Sequence, residues 1–273
     1  MPELPEVETV RRVLLPYLKE RKIIAVQIYN SQVIAAPSAE KIVGCVQGQA
    51  ITGLARRGKF LQLQFAGGDR LAIHLRMTGS LTVESQDSPL EKYTHAVFTL
   101  DNGNQLRYAD VRRFGRIWYI PKDAPDMSGA EKLGPEPSDK SLTAAYLKDK
   151  LRSSKKSVKT MLLDQSVVAG IGNIYSDEIL FAAGIYPGKP CRSLTDDDLE
   201  RLAEMIPKQL SYFTEKNAIS FEDYTASKGT DYRNTPFLQV YGKAGEPCPV
   251  CGGTLQRLVL GGRSSVFCPH CQK

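Results

Sequence analysis

Apolar residues recur at spacings of three and four at the start of the chain. Leu4, Val7, Val10 and Leu14 form one stripe, with Arg11 and Arg12 off it. This period predicts a helix over 3–18, with Pro2 just before it, where a missing N–H costs least. From residue 22 the pattern turns strand-like, through the β-branched stretch 22–29 and the alternating KFLQLQF of 59–65. Further strands are predicted over 71–75, 95–100, 105–108 and 116–120, separated by turn signals at 67–68, 79–80 and 101–103. No steady strand–helix alternation runs through this half, which argues against a doubly wound sheet. Residues 121–140 are rich in Pro, Gly and charge and read as a linker. The period then becomes helical over 141–151, 158–165, 172–183 and 195–214, with Thr195 and three aspartates opening the last of these. Residues 217–237 lack a strong period and read as a loop, and short strands are expected beyond 238.

The pattern is that of an α+β chain: an N-terminal helix with an antiparallel two-sheet β-sandwich, a helical region and a small C-terminal β-hairpin. The expected domains are 1–130, 131–237 (with the loop 217–237) and 238–273. A chain of 273 residues buries enough surface to need no metal for its main core. The formal charge of +6 favours a polyanionic partner without requiring one. No run of 18 apolar residues is present, and MPELPEVETVRR, with three acidic residues and no apolar stretch, does not read as a signal peptide. A cytoplasmic protein is expected.

Four of the six cysteines crowd into the last 26 residues as Cys248-Pro-Val-Cys251 and Cys268-Pro-His-Cys271. Two tight knuckles of this kind satisfy tetrahedral zinc through four thiolates and leave no open coordination position, so one structural zinc ion per chain is expected and no organic cofactor. About 26 residues cannot build a sufficient core alone, and the metal supplies folding energy there. The arms between the knuckles join at Gly261–Gly262, followed by Arg263, which reads either as a solvated arginine or as a phosphate contact on a rigid hairpin.

Residues 148–164 carry a local charge of +4, with Arg152, Lys155, Lys156 and Lys159 spaced to share one face if helical. Next comes VVAGIGNIYSDEILFAAGI, in which Gly170 and Gly172 separate two apolar helices and Asn173 begins the second, a helix–two-turn–helix pattern whose N-terminal amides can hold a phosphate. In the strand region, HLRMTG and YADVRRFG place Met77, Arg112 and Phe114 beside turns. Met77 and Phe114 fit either a core or a pair of apolar wedges beside cations. Glu3 and Glu6 in the first helical turn are equally accounted for by the helix dipole.

Taken in order, MPELPEVETVRR, RRGKF at 56–60, HLRMTG, DVRRFG, LLDQSVVAGIGNIYSDEILF and the terminal cysteine pairs resemble the bacterial formamidopyrimidine-DNA glycosylases along essentially the whole chain. The resemblance implies a bifunctional DNA glycosylase and AP lyase. On that resemblance Met1 is expected to be removed, the imino group of Pro2 to attack C1′ of an oxidised purine nucleotide, and an iminium intermediate to lead to β,δ-elimination. It gives Glu3 the role of acid, Glu6 that of a helper holding the terminus, and Lys59 that of a phosphate contact assisting elimination. By the same resemblance Met77 and Arg112 would fill the vacated stack, with Arg112 reading the orphaned cytosine, and Phe114 would be the wedge. Lys159, Asn173 and Arg263 join them as DNA-binding residues. The partner is double-stranded DNA with an oxidised base or abasic site, and a monomer of the bacterial cytoplasm, associated with the nucleoid when bound, is implied. Thr78 stands where many relatives have Glu, 217–237 departs from the relatives' lesion-capping loop, and Ser264 replaces a glycine after Arg263.

An endonuclease VIII-like enzyme for oxidised pyrimidines shares the proline, the helical pattern and the zinc finger. PELPEVE and the Arg112–Phe114 pair favour the purine enzyme. A non-catalytic zinc-ribbon DNA-binding protein explains the basic patches but not the Pro-Glu terminus, and a purely structural zinc protein explains less.

Overall fold

The computed structural model describes residues 2–273, so the expected removal of Met1 lies outside the described residues. By its internal contacts the chain divides into two units. The first comprises Pro2, Glu6–Glu131 and Ala218–Arg233, and the second Glu3–Pro5, Lys132–Asn217 and Asn234–Lys273.

The expected opening helix is α1 (Leu4–Leu18), whose Val7, Val10, Leu14 and Leu18 are buried as one stripe. Nine strands and one short helix follow: β1 (Ile23–Ile28), β2 (Ile34–Ala36), α2 (Ala39–Val46), β3 (Ile51–Arg57), β4 (Phe60–Phe65), β5 (Arg70–His74), β6 (Gly79–Ser85), β7 (Thr94–Leu100), β8 (Asn104–Asp110) and β9 (Arg116–Ile120). They form a four-stranded sheet, β1-β7-β8-β6, and a five-stranded sheet, β2-β9-β5-β4-β3. All pairings are antiparallel except β2 with β9, which makes the larger sheet mixed. Phe98, Leu106 and Leu81 from one sheet join Leu61, Leu71 and Ile117 from the other in a single core with the α1 stripe.

Four elements between β1 and β9 depart from the sequence pattern. The β2 and β3 strands and α2 stand where no element is expected, α2 starting at a Ser38 cap that accepts from the Lys41 N–H. Gly79 reads as a turn but is the first residue of β6, in register with Asp110 of β8.

The second unit contains α3 (Ala144–Leu151), α4 (Val158–Leu162), α5 (Asn173–Ala182) and α6 (Asp196–Lys216). The first turn of α6 is closed by a reciprocal pair, Thr195 accepting from the Asp198 N–H and Asp198 from the Thr195 N–H. Residues 152–157 leave the helix between α3 and α4, so Arg152, Lys155, Lys156 and Lys159 do not share one helical face. Within the expected loop 217–237 stands α7 (Phe221–Ala226), which belongs to the first unit and is capped by Ser220. Its Tyr224 is fully buried and donates to the Leu81 carbonyl at 2.7 Å. The second unit ends in the expected hairpin, β10 (Gln256–Leu260) with β11 (Arg263–Phe267). No described helix is long and apolar enough to cross a membrane.

Candidate functional site

Pro2 and Glu3 are both buried. The Glu3 carboxylate accepts N–H bonds from Gly172 at 2.8 Å, Ile174 at 2.9 Å and Tyr175 at 3.3 Å, the open donors at the start of α5. Gly172 offers no side-chain cap, and Glu3 supplies the anion in its place. A Cβ on residue 172 would fall within the Glu3 carboxylate, so glycine is required there for close approach. The Leu4 N–H, donating to the Gly170 carbonyl at 3.1 Å, fixes the same junction. The acidic terminus and the Gly-x-Gly turn are thus parts of one arrangement.

Glu6 is buried in the first unit. Burial and the Glu6 charge push the phenol of Tyr232 above its ordinary value. Lys59, also buried, lies in the β3–β4 turn. Burial, with Arg76 and Lys59 nearby, pushes His74 down to about 3, and its Nδ1 accepts the Arg76 N–H at 3.0 Å. His74 is therefore neutral and serves the fold of the loop that follows it.

Met77, Arg112 and Phe114 come together on exposed loops. Met77 is 47% and Phe114 48% exposed, which removes the core reading for both. Arg112 places Nη1 3.2 Å from the Met77 sulfur and its guanidinium 4.6 Å from the centre of the Phe114 ring.

In the second unit, Asn173 is the first residue of α5 and its Oδ1 is buried without a hydrogen-bond partner among the described residues. Arg263 is exposed at the hairpin tip. Lys159 departs from expectation. It is wholly buried, with Nζ 2.6 Å from Asp177 and 2.8 Å from the Ser264 carbonyl, so it braces the hairpin instead of presenting charge to solvent. Asp177 also accepts from the Ser265 hydroxyl at 2.6 Å and the Val266 N–H at 3.0 Å. Its neighbour Glu178 accepts the N–H groups of Gln239, Val240 and Tyr241 at 2.8, 3.0 and 2.8 Å. Consecutive acids in an apolar helix were the available signal for this clasp.

The Sγ atoms of Cys248, Cys251, Cys268 and Cys271 all lie within 4.8 Å of one another. The Cys248–Cys271 and Cys251–Cys268 separations are 3.9 and 3.5 Å. A tetrahedron with Zn–S bonds of about 2.3 Å requires sulfurs about 3.8 Å apart, and the cluster fits that geometry. This is a structural four-cysteine zinc site.

Three family models match successive parts of the chain: the formamidopyrimidine-DNA glycosylase N-terminal domain over residues 1–117, the H2TH domain of the same enzymes over 133–224, and the zinc finger found in FPG and IleRS over 245–273. The chain belongs to the formamidopyrimidine-DNA glycosylase family. The formamidopyrimidine-DNA glycosylase of Moorella thermoacetica is 46% identical over 259 residues, covering 94% of each chain. That of Geobacillus kaustophilus is 42% identical over 275 residues and the full length of both. A crystal structure of the Lactococcus lactis member bound to DNA containing an oxidised pyrimidine superposes with a TM-score of 0.91 at 37% identity, covering all of both chains. MutM bound to DNA containing carbocyclic 8-oxo-G gives 0.90, also at 37% identity and over the full length of both.

Proposed function

We propose that this family member is a bifunctional DNA glycosylase and AP lyase that removes oxidised purines, 8-oxoguanine and formamidopyrimidines, from duplex DNA. The single observation that carries the reading is the Pro2–Glu3 terminus, with the Glu3 carboxylate held by three backbone N–H groups at the start of α5. A secondary amine of near-neutral pKa has a free lone pair in a large fraction of molecules.

In this mechanism the Pro2 nitrogen forms a bond to C1′ as the glycosidic bond breaks, and the electron pair leaves with the base. The Glu3 carboxylate takes the proton from the nitrogen and delivers it to the ring oxygen, the C1′–O4′ bond breaks, and the nitrogen lone pair closes the iminium; the departing base takes a proton from solvent. The iminium acidifies C2′, and successive eliminations break the C3′–O and C5′–O bonds, leaving a one-nucleotide gap with phosphate on both ends. Glu6 holds the terminus, and Lys59 contacts a phosphate beside the lesion. The flipped nucleotide leaves a gap for Met77 and Arg112, with Phe114 as the wedge, a role supported by their exposure and mutual contact. Asn173 and Arg263 hold phosphates, which position the duplex without reading its sequence. Lys159 acts one step back, as a brace for the hairpin that carries Arg263. We place the functional domains at 1–130, 131–237 and 238–273, and the protein as a monomer in the cytoplasm, on the nucleoid when bound; the bacterial origin of the relatives supports this location.

A duplex with 8-oxoguanine opposite cytosine tests the reading. Cleavage should leave phosphate on both sides of a one-nucleotide gap. No excision by zinc-loaded protein would overturn it, and faster excision of an oxidised pyrimidine than of 8-oxoguanine would transfer the chain to the endonuclease VIII-like class.

A further inference from the structure

We propose that Asp110 is a positioning residue for lesion recognition, fastening the loop that carries Met77 to the loop that carries Arg112 and Phe114 so that the three side chains act as one block. This rests on the wedge role proposed above for those three residues.

The topology sets the two loops side by side. The first joins β5 of the larger sheet to β6 of the smaller, and the second joins β8 of the smaller to β9 of the larger. The strands at both roots are paired, Gly79 with Asp110 and His74 with Arg116. Asp110 sits at this crossing and is only 1% exposed, although the four residues after it are exposed.

Its carboxylate is fully used. One oxygen accepts from the Thr78 hydroxyl and from the Arg112 N–H at 3.1 Å; the other accepts from the Gly115 N–H at 2.8 Å and the Tyr108 hydroxyl at 3.2 Å. An ionised carboxylate has about four acceptor sites, so none remains for DNA. Thr78 serves both loops at once, donating to Asp110 while its oxygen accepts the Arg112 N–H at 3.2 Å. The Asp110 backbone carbonyl is 2.8 Å from His95 Nε2. A Cβ at Gly115 would collide with the Tyr108 hydroxyl, so the loop returns to β9 against that ring.

The backbone on either side supports a fastened device. Arg76 and Arg113, one in each loop and each next to a wedge residue, have φ of 55° and 56°. Such conformations are costly for residues with a side chain and persist where the surroundings over-determine them. Charge-assisted bonds from both loops to one buried anion supply that constraint.

Arg112 can discriminate the base opposite a lesion only if its position relative to Met77 and Phe114 is set before the base is met. The test measures single-turnover excision of 8-oxoguanine opposite cytosine and opposite adenine, for the zinc-loaded wild type and for Asp110→Asn, Arg112→Ala and the double variant. Asn must aim its NH2 at two donors, so half of the fastening is lost. Asp110→Asn should shrink the cytosine-to-adenine ratio by about 10-fold, the scale of unpairing buried donors. The double variant should have a ratio no smaller than that of Arg112→Ala, because both act on one block. If Arg112→Ala lowers the ratio and a folded Asp110→Asn retains it, the role of Asp110 is overturned. If Arg112→Ala itself leaves the ratio intact, it is the wedge reading that fails. Thr78→Val covers the case in which Asp110→Asn does not fold. It removes only the bridging hydroxyl and should lower the ratio about 3-fold; a wild-type ratio in folded Thr78→Val would overturn the proposal.

Discussion

Asp110 in the first unit and Glu178 in the second are both buried carboxylates that accept backbone N–H groups, yet their protonation is biased in opposite directions. Burial works against the charge on Asp110, but the bonds from Thr78, Gly115, Arg112 and Tyr108 hold the carboxyl below its ordinary 3.8. At Glu178 burial is the stronger influence, and despite three amides from residues 239–241 it lifts the carboxyl above 4.5, with Asp177 adding repulsion. The number of N–H donors does not decide the outcome. Asp110 adjoins exposed loops and takes two hydroxyl donors as well, whereas Glu178 is enclosed in a helix beside another acid. The Asp110 carboxyl is therefore biased toward its ionised form. The Glu178 carboxyl is biased toward its protonated form.

The largest effect expected on this comparison comes from Glu3, the acid to which we assign chemistry as well as fastening. Glu3→Gln keeps the shape and should retain binding to lesion DNA while excision falls by about 10²–10⁴-fold in single-turnover assays. Cys268→Ala should distinguish the contributions of the two units. Zinc content by elemental analysis should fall from one per chain, and DNA affinity should drop by roughly 10-fold or more as the hairpin loses its staple. The cytosine-to-adenine ratio set by the first unit should persist in the DNA that is bound.

Arg263→Ala comes next. It should weaken binding to damaged and undamaged duplex alike and lower the salt slope by about one, as for a single phosphate contact. A change confined to lesion preference would show that the division between positioning and reading is misplaced.

The smallest effect is on stability against pH. Asp110 binds its proton more weakly folded than unfolded, so its contribution is complete above 3.8 and is lost as pH falls through the lower folded value. Glu178 has the opposite sign: its contribution is complete below 4.5 and is lost as pH rises through the raised folded value. In urea unfolding across a pH series, Asp110→Asn should flatten the acid-side loss and Glu178→Gln the loss above 4.5.

Much of this architecture is legible in the sequence because period reports burial. The α1 stripe, the KFLQLQF strand and the Gly261–Gly262 hairpin each follow from local spacing. Strand β6 escapes that reading because its first residue is a glycine whose extended state is imposed by pairing with Asp110. The exposed Met77 and Phe114 and the cysteine knuckles stand out as side-chain types in odd company. Asp110, Asp177 and Glu178 do not, since many of their partners are backbone N–H groups of distant segments, which carry no side-chain signature. Lys159 misleads for the same reason, as spacing among its neighbours cannot reveal the carboxylate 18 residues away that buries it.

The central claim is that the nitrogen of Pro2 forms the covalent bond to DNA, and peptide mapping of the borohydride-trapped adduct tests it most directly. Protein reacted with 8-oxoguanine duplex, reduced and digested, should carry the nucleotide remnant on the peptide that begins at Pro2. A remnant on the Lys59 peptide, with Pro2 unmodified, would contradict the account.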